Sequence, residues 1–185
     1  MKLTIPTIMT FLRLLLIPVF VVVFYLPYEW SYIASAIIFA LAGITDWLDG
    51  YLARKLNQAT KFGAFLDPVA DKLMVAVALV LLVGNPNLLY IALPAAIIIS
   101  REIAVSALRE WMAEIGKRTS VAVSYISKIK TTFQMLSIIV LLAGDPGHPG
   151  LLIYIGYVLL YIAAILTLWT MIMYIKAAWP NFELK

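Results

Sequence analysis

Asp46, Asp49, Asp67 and Asp71 are four carboxylates set in two segments otherwise apolar enough for a bilayer. An acid at membrane depth costs roughly 2.5–3.5 kcal/mol on insertion scales, so such residues mark metal or substrate sites, ion pathways or internal ion pairs. Asp46 and Asp49 are spaced i, i+3, and Asp67 and Asp71 are spaced i, i+4, so each pair shares one face of a helix. A short basic link containing Arg54, Lys55 and Lys61 joins the two helices and lets the four acids meet. Such a set suits a divalent cation held by oxygen. Cysteine is absent and there is one histidine, His148, so any metal must rely on oxygen or on that imidazole.

Small residues accompany the acids. Gly50 follows Asp49, Ala53 and Arg54 come one turn later, and Gly63 precedes Asp67 by four. A ligand or a neighbouring backbone can come close on those faces. Helix–helix packing is the competing use of small residues in membranes. Pairing with Arg54, Lys55, Lys61 and Lys72 accounts for one or two acids, but not for four on two matched faces with glycines between them.

A second group is basic. Arg101 and Arg109 are eight residues apart, about two turns, and so share a helix face in an apolar span. Glu102, adjacent in sequence, is expected to point elsewhere, which leaves Arg101 facing an anion or a distant acid. Phosphate is the natural match, because a guanidinium binds it through two parallel hydrogen bonds. Lys128 and Lys130 open the next apolar run and are read as part of the same site. Lys117 and Arg118 are read instead as facing anionic lipid heads, with Glu110 and Glu114 pairing to them. Trp30, Trp111, Trp169, Trp179 and many tyrosines read as interface anchors, and His148 as a solvated loop residue.

The elements that carry these groups follow from composition. The 185 residues are 64% hydrophobic and 13% charged, with a mean hydropathy of +0.98. A soluble domain carries about 25% charged residues, so an integral membrane protein is expected, and the net charge of +4 does not point to nucleic acid. Apolar runs near the ~20 residues of a spanning helix occur at Met9–Leu26, Tyr32–Ala53, Phe62–Val83, Leu88–Leu108, Val121–Ala143 and Leu151–Ile175. Pro27, Gly84-Asn85-Pro86-Asn87 and Gly144 to Gly150 break them. Bulky residues at Tyr25-Leu26-Pro27-Tyr28 argue against a cleaved signal peptide, so the first run is read as a retained helix. With both termini cytoplasmic, every Lys and Arg from Lys2 to Lys185 falls on the inner side, as the positive-inside rule asks. The expectation is an all-α membrane protein: six spans forming one domain over residues 1–185, with the acids at the cytoplasmic end.

The spacing D-x2-D-G-x2-A-R-x8-G-x3-D-x3-D, carried by Asp46, Asp49, Gly50, Ala53, Arg54, Gly63, Asp67 and Asp71, resembles the signature of the CDP-alcohol phosphotransferase family. Further similarity runs from Ile5-Pro6-Thr7 through Arg13, from Phe62 through Lys72 and from Ser100-Arg101-Glu102 through Lys130-Thr131. The resemblance implies an enzyme of the bacterial inner membrane that moves a phosphatidyl group from CDP-diacylglycerol onto an alcohol and releases CMP. It implies one or two divalent ions, Mg2+ or Mn2+, on Asp46, Asp49 and Asp67, with Asp71 completing the site and acting as general base. It also implies a CDP pocket lined by Gly50, Ala53, Arg54 and Gly63 with Thr10 as a further contact, and a homodimer among membrane lipids. Relatives often carry Asn where this chain has Thr7. The acceptor expected for Arg101, Arg109, Lys128 and Lys130 is sn-glycerol 3-phosphate; serine, inositol phosphate or phosphatidylglycerol are the alternatives within the same chemistry. A small cation transporter is the alternative from another class, but it calls for midplane acids and repeat symmetry, which the sequence lacks.

Overall fold

The computed structural model describes residues 4–55, 61–116, 125–145, 147 and 150–181; within these, the side chains of 5, 6, 47, 49–54, 61, 64, 125 and 181 fall outside the description. Six helices follow one another: α1 (Ile5–Phe24), α2 (Trp30–Lys55), α3 (Lys61–Val83), α4 (Ala92–Glu114), α5 (Tyr125–Ala143) and α6 (Leu151–Ala178), with a final 3-10 turn at Trp179–Asn181. Pro6 enters the first turn of α1, where its missing N–H costs nothing. Gly116 follows α4 at φ +73°, the left-handed conformation that ends helices most cheaply in glycine.

The helices pack as a closed ring. Around it, α3 contacts α1, α1 contacts α2, α2 contacts α5, α5 contacts α6, α6 contacts α4, and α4 returns to α3. Close approach rests on small residues: a Cβ on Gly43 of α2 would stand 2.7 Å from Met135 Cε of α5. One on Gly156 of α6 would stand 2.6 Å from Leu141 of α5. Phe20, Phe39, Leu79, Leu82, Ile98, Ile138 and Leu160 belong to the main buried apolar cluster between the helices.

The distribution of polarity is inverted relative to a soluble bundle. Leu15 and Val22 of α1, Ile103 of α4 and Ile165 of α6 are exposed, whereas Thr10, Arg13, Arg101, Lys130 and Gln134 are buried. Such an exterior is at rest only in lipid. Three helices hold an apolar stretch long enough to cross a membrane by length and composition alone, at Thr7–Phe24, Ile126–Ala143 and Leu151–Ala178; Trp30–Asp46 is a shorter apolar run. Charged residues interrupt α2, α3 and α4, and several of these groups point into the ring. Six spans therefore remain a reading of helix lengths, not of hydropathy alone. The fourth helix also sits later than its expected span at Leu88–Leu108, because hydropathy marks the lipid zone while helical hydrogen bonding continues through Arg109, Glu110 and Glu114.

Candidate active site

Three of the four acids have described side chains, and α1 reaches two of them. Thr10 Oγ1 donates to Asp67 Oδ1 at 2.5 Å, and Arg13 Nη1 donates to Asp46 Oδ1 at 2.5 Å. Thr10 and Arg13 are i, i+3, so one face of α1 serves both α2 and α3. Arg13 is 1% exposed and Asp46 is 42% exposed, so the pair runs from the protein interior to its accessible edge. Asp71, one turn after Asp67, lies within electrostatic reach of Asp46, Arg13, Glu102 and Lys130. Pro68 stands between the two acids inside α3, where its ring omits one rung of the helix ladder. Among the described residues no three His, Asp or Glu side chains stand close enough to hold a metal ion. Asp49, Gly50, Ala53 and Arg54 belong to α2 but their side chains lie outside the description, and Gly63 is buried at the start of α3.

The donor chemistry nonetheless fits a hard divalent cation. Asp46 and Asp67 each use one oxygen toward α1, and a carboxylate has lone pairs to spare on the other. All donors are oxygens on adjacent helices, and cysteine is absent.

Beside the acids lies a partly open cavity of about 840 Å³. Its wall includes Asp71 and Lys72 of α3, Arg101, Glu102 and Arg109 of α4, Lys128, Lys130 and Gln134 of α5, and Tyr174 of α6. The four basic residues singled out from sequence thus open onto one space with Asp71. Lys130 is buried and gives its ammonium to Glu102 Oε1 at 2.5 Å. Arg101 is buried too; it donates to the same oxygen at 3.1 Å and to Thr170 Oγ1 at 3.2 Å. Arg109 Nη2 donates to the Tyr174 hydroxyl at 2.7 Å. Lys72 bonds to Ser106 Oγ, whose hydroxyl donates to the Glu102 carbonyl at 2.5 Å. Among the described residues, Arg101 Nε and Gln134 Oε1 are buried without a hydrogen-bond partner, and both side chains belong to the cavity wall.

Several expectations change. Glu102 does not point elsewhere: both Arg101 and Lys130 converge on it, since long side chains bend across a neighbouring position that Cα geometry alone would separate. Tyr25, Tyr28, Tyr90 and Tyr154 are exposed, but Tyr174, which the sequence did not single out, is buried on the cavity wall. Trp111 packs against the small cluster of Val105, Met112, Tyr174 and Ala178, whereas Trp30, Trp169 and Trp179 are exposed as an interface role requires. The pairing of Glu110 or Glu114 with Lys117 or Arg118 falls on residues outside the description. Arg13 is the residue that sequence reasoning passed over as an inner-side charge. Its signal was present, because a lone Arg inside the apolar Ile5–Phe24 run needs an internal partner as much as Arg101 does.

The profile of the CDP-alcohol phosphatidyltransferase family matches residues 3–169. A Pseudomonas fluorescens protein named CDP-diacylglycerol--glycerol-3-phosphate 3-phosphatidyltransferase is 57% identical over 180 residues, covering 97% of this chain and 92% of the relative. Proteins of the same name from Yersinia enterocolitica and Salmonella typhimurium are 58% and 55% identical; each alignment covers 98% and 96%, respectively, of both chains. With its signature acids on adjoining helices and its sequence matched almost end to end, this chain belongs to the CDP-alcohol phosphatidyltransferase family.

Proposed function

We infer that the chain transfers the phosphatidyl group of CDP-diacylglycerol to sn-glycerol 3-phosphate, giving phosphatidylglycerol phosphate and CMP. The observation that carries this reading is the single cavity joining Asp71 to Arg101, Arg109, Lys128 and Lys130. An acceptor that brings its own phosphate needs such a cluster beside a base; the names of relatives at 55–58% identity point to the same reaction.

In this reading Arg101, Arg109, Lys128 and Lys130 hold the acceptor phosphate, and a guanidinium can do so with two parallel bonds. The anchored alcohol then lies within the same space as Asp71, whose carboxylate takes the hydroxyl proton as the new P–O bond forms and the bond to CMP breaks. Fixing both reactants in one cavity removes much of the entropic barrier to a two-substrate reaction. Asp46, Asp49 and Asp67, with Asp71, would hold one or two divalent ions, Mg2+ or Mn2+, which supply charge neutralisation on the diphosphate and on departing CMP. Arg13 and Thr10 orient Asp46 and Asp67 from α1. Gly50, Ala53, Arg54 and Gly63 form the CDP pocket, with Thr10 at its edge.

The whole chain acts as one domain of six spans in the bacterial inner membrane, with the site on the cytoplasmic side, as a homodimer in contact with membrane lipids. Purified protein given CDP-diacylglycerol and Mg2+ is expected to release CMP only when sn-glycerol 3-phosphate is added. Release supported by serine, inositol phosphate or phosphatidylglycerol instead would move the assignment to that acceptor.

A further inference from the structure

Two residues of α6 touch the basic cluster, and both lie just beyond the 3–169 segment that matches the family. Thr170 Oγ1 accepts from Arg101 Nη2 at 3.2 Å and itself donates to the Thr167 carbonyl at 3.0 Å. Tyr174, one turn on, places its ring centroid 5.3 Å from Arg101 Cζ and 5.0 Å from Arg109 Cζ. Its hydroxyl accepts from Arg109 at 2.7 Å and also pairs with Ser127 Oγ of α5 at 3.2 Å. Arg101 and Arg109 start two helical turns apart and carry like charge, so left to themselves they would spread. Arg101 already shares the Glu102 carboxylate with Lys130, and an aromatic face attracts both arginines without adding a second negative charge. A further carboxylate in place of Tyr174 would pair with Arg109 as Glu102 does with Arg101, leaving less positive charge for an anionic ligand.

We propose that Tyr174, supported by Thr170, is a positioning residue for acceptor selection: it sets Arg101 and Arg109 as a joint clamp for an alcohol that carries a phosphate monoester. The proposal deepens the reading above and rests on it. It assigns the choice of acceptor in part to the last turns of α6, outside the segment that defines the family, while the acids of α2 and α3 remain common to the reaction.

The test is steady-state CMP release by the purified full chain, varying each substrate separately. Tyr174→Phe keeps the ring and removes the hydroxyl; the KM for sn-glycerol 3-phosphate is expected to rise about tenfold, as for loss of a hydrogen bond to a charged group, with the KM for CDP-diacylglycerol unchanged. Tyr174→Leu, which also removes the ring, is expected to raise it further. In an Arg109→Ala background, Tyr174→Phe is expected to have little added effect on this KM, because the bond to Arg109 is already gone and the remaining one, to Ser127, does not reach an arginine. Where Arg109→Ala turns over too slowly to follow, calorimetric titration with sn-glycerol 3-phosphate makes the same comparison. Equal rises in both KM values, a fall in kcat alone, or additive effects with Arg109→Ala overturn the role of Tyr174. If Tyr174→Leu does not fold, Tyr174→Phe alone decides. Wild-type protein that releases no CMP with sn-glycerol 3-phosphate overturns the acceptor assignment itself, a result distinct from an active wild type whose KM is unmoved in Tyr174→Phe.

Discussion

Replacing Glu102 by Gln perturbs the point where the basic cluster is held together. Lys130 is 4% exposed, and among the described residues Glu102 is its ion-pair partner; Glu102 is 22% exposed and is shared with Arg101 at 3.1 Å. Deleting the carboxylate charge leaves an ammonium inside the protein, and breaking a fully buried pair this way costs about 3–5 kcal/mol. This pair faces a cavity of about 840 Å³, and liquid water needs only ~30 Å³ per molecule. Hydration therefore recovers part of the loss, and the expected destabilisation is about 1.5–3 kcal/mol, the range for hydrogen bonds to charged groups. The geometry also predicts an asymmetry. Lys130→Met removes the opposite partner but leaves Glu102 on Arg101, so it should cost less than Glu102→Gln. The assay is unfolding of both variants in detergent, followed by tryptophan fluorescence, with the wild type alongside. Stability of Glu102→Gln equal to wild type, or a larger loss in Lys130→Met, would refute the view that Glu102 is the shared counter-ion.

Asp71→Asn should lower CMP release by about 10²–10⁴-fold, the usual contribution of a general base, while the protein still inserts into membranes; near-wild-type turnover would remove Asp71 from that role. Chelation of divalent ions should abolish CMP release, and Mg2+ or Mn2+ should restore it, whereas activity that persists in excess chelator contradicts the carboxylate metal site. Gly156→Ala should destabilise the protein by about 1–3 kcal/mol, because the new methyl would stand 2.6 Å from Leu141 Cγ and Cδ2; an unchanged melting temperature in detergent would show that α5 and α6 can separate freely.

Much of the frame was legible in the sequence because it depends on local properties. The helical period puts Asp67 and Asp71 on one face wherever α3 ends up, and the apolar runs locate the helices to within about six residues, the end of α4 being the furthest off, because burying unpaired backbone in lipid is prohibitive. The breakers Gly84-Asn85-Pro86 and Gly144-Asp145 act on their own neighbours, so they too can be read locally. The same reasoning isolates Arg101 and Arg109, since an Arg in an apolar span needs an anion whatever surrounds it.

The partners of those groups are a different matter. Arg13 meets Asp46 across 33 residues, Thr10 meets Asp67 across 57, Lys130 meets Glu102 across 28 and Arg109 meets Tyr174 across 65. No local period encodes such pairs; they depend on which helices close the ring and how far each is rotated. By itself the sequence determined a membrane-embedded set of acids, a separate set of bases and the helices that carry them. Only the tertiary packing decided that Asp71 and the bases share one cavity, that Glu102 bridges two cations, and that a tyrosine indistinguishable by composition from nine others lies against two arginines. The physical reason is that helix faces are set by bonds along the chain, whereas their neighbours are set by side-chain shape and charge between helices.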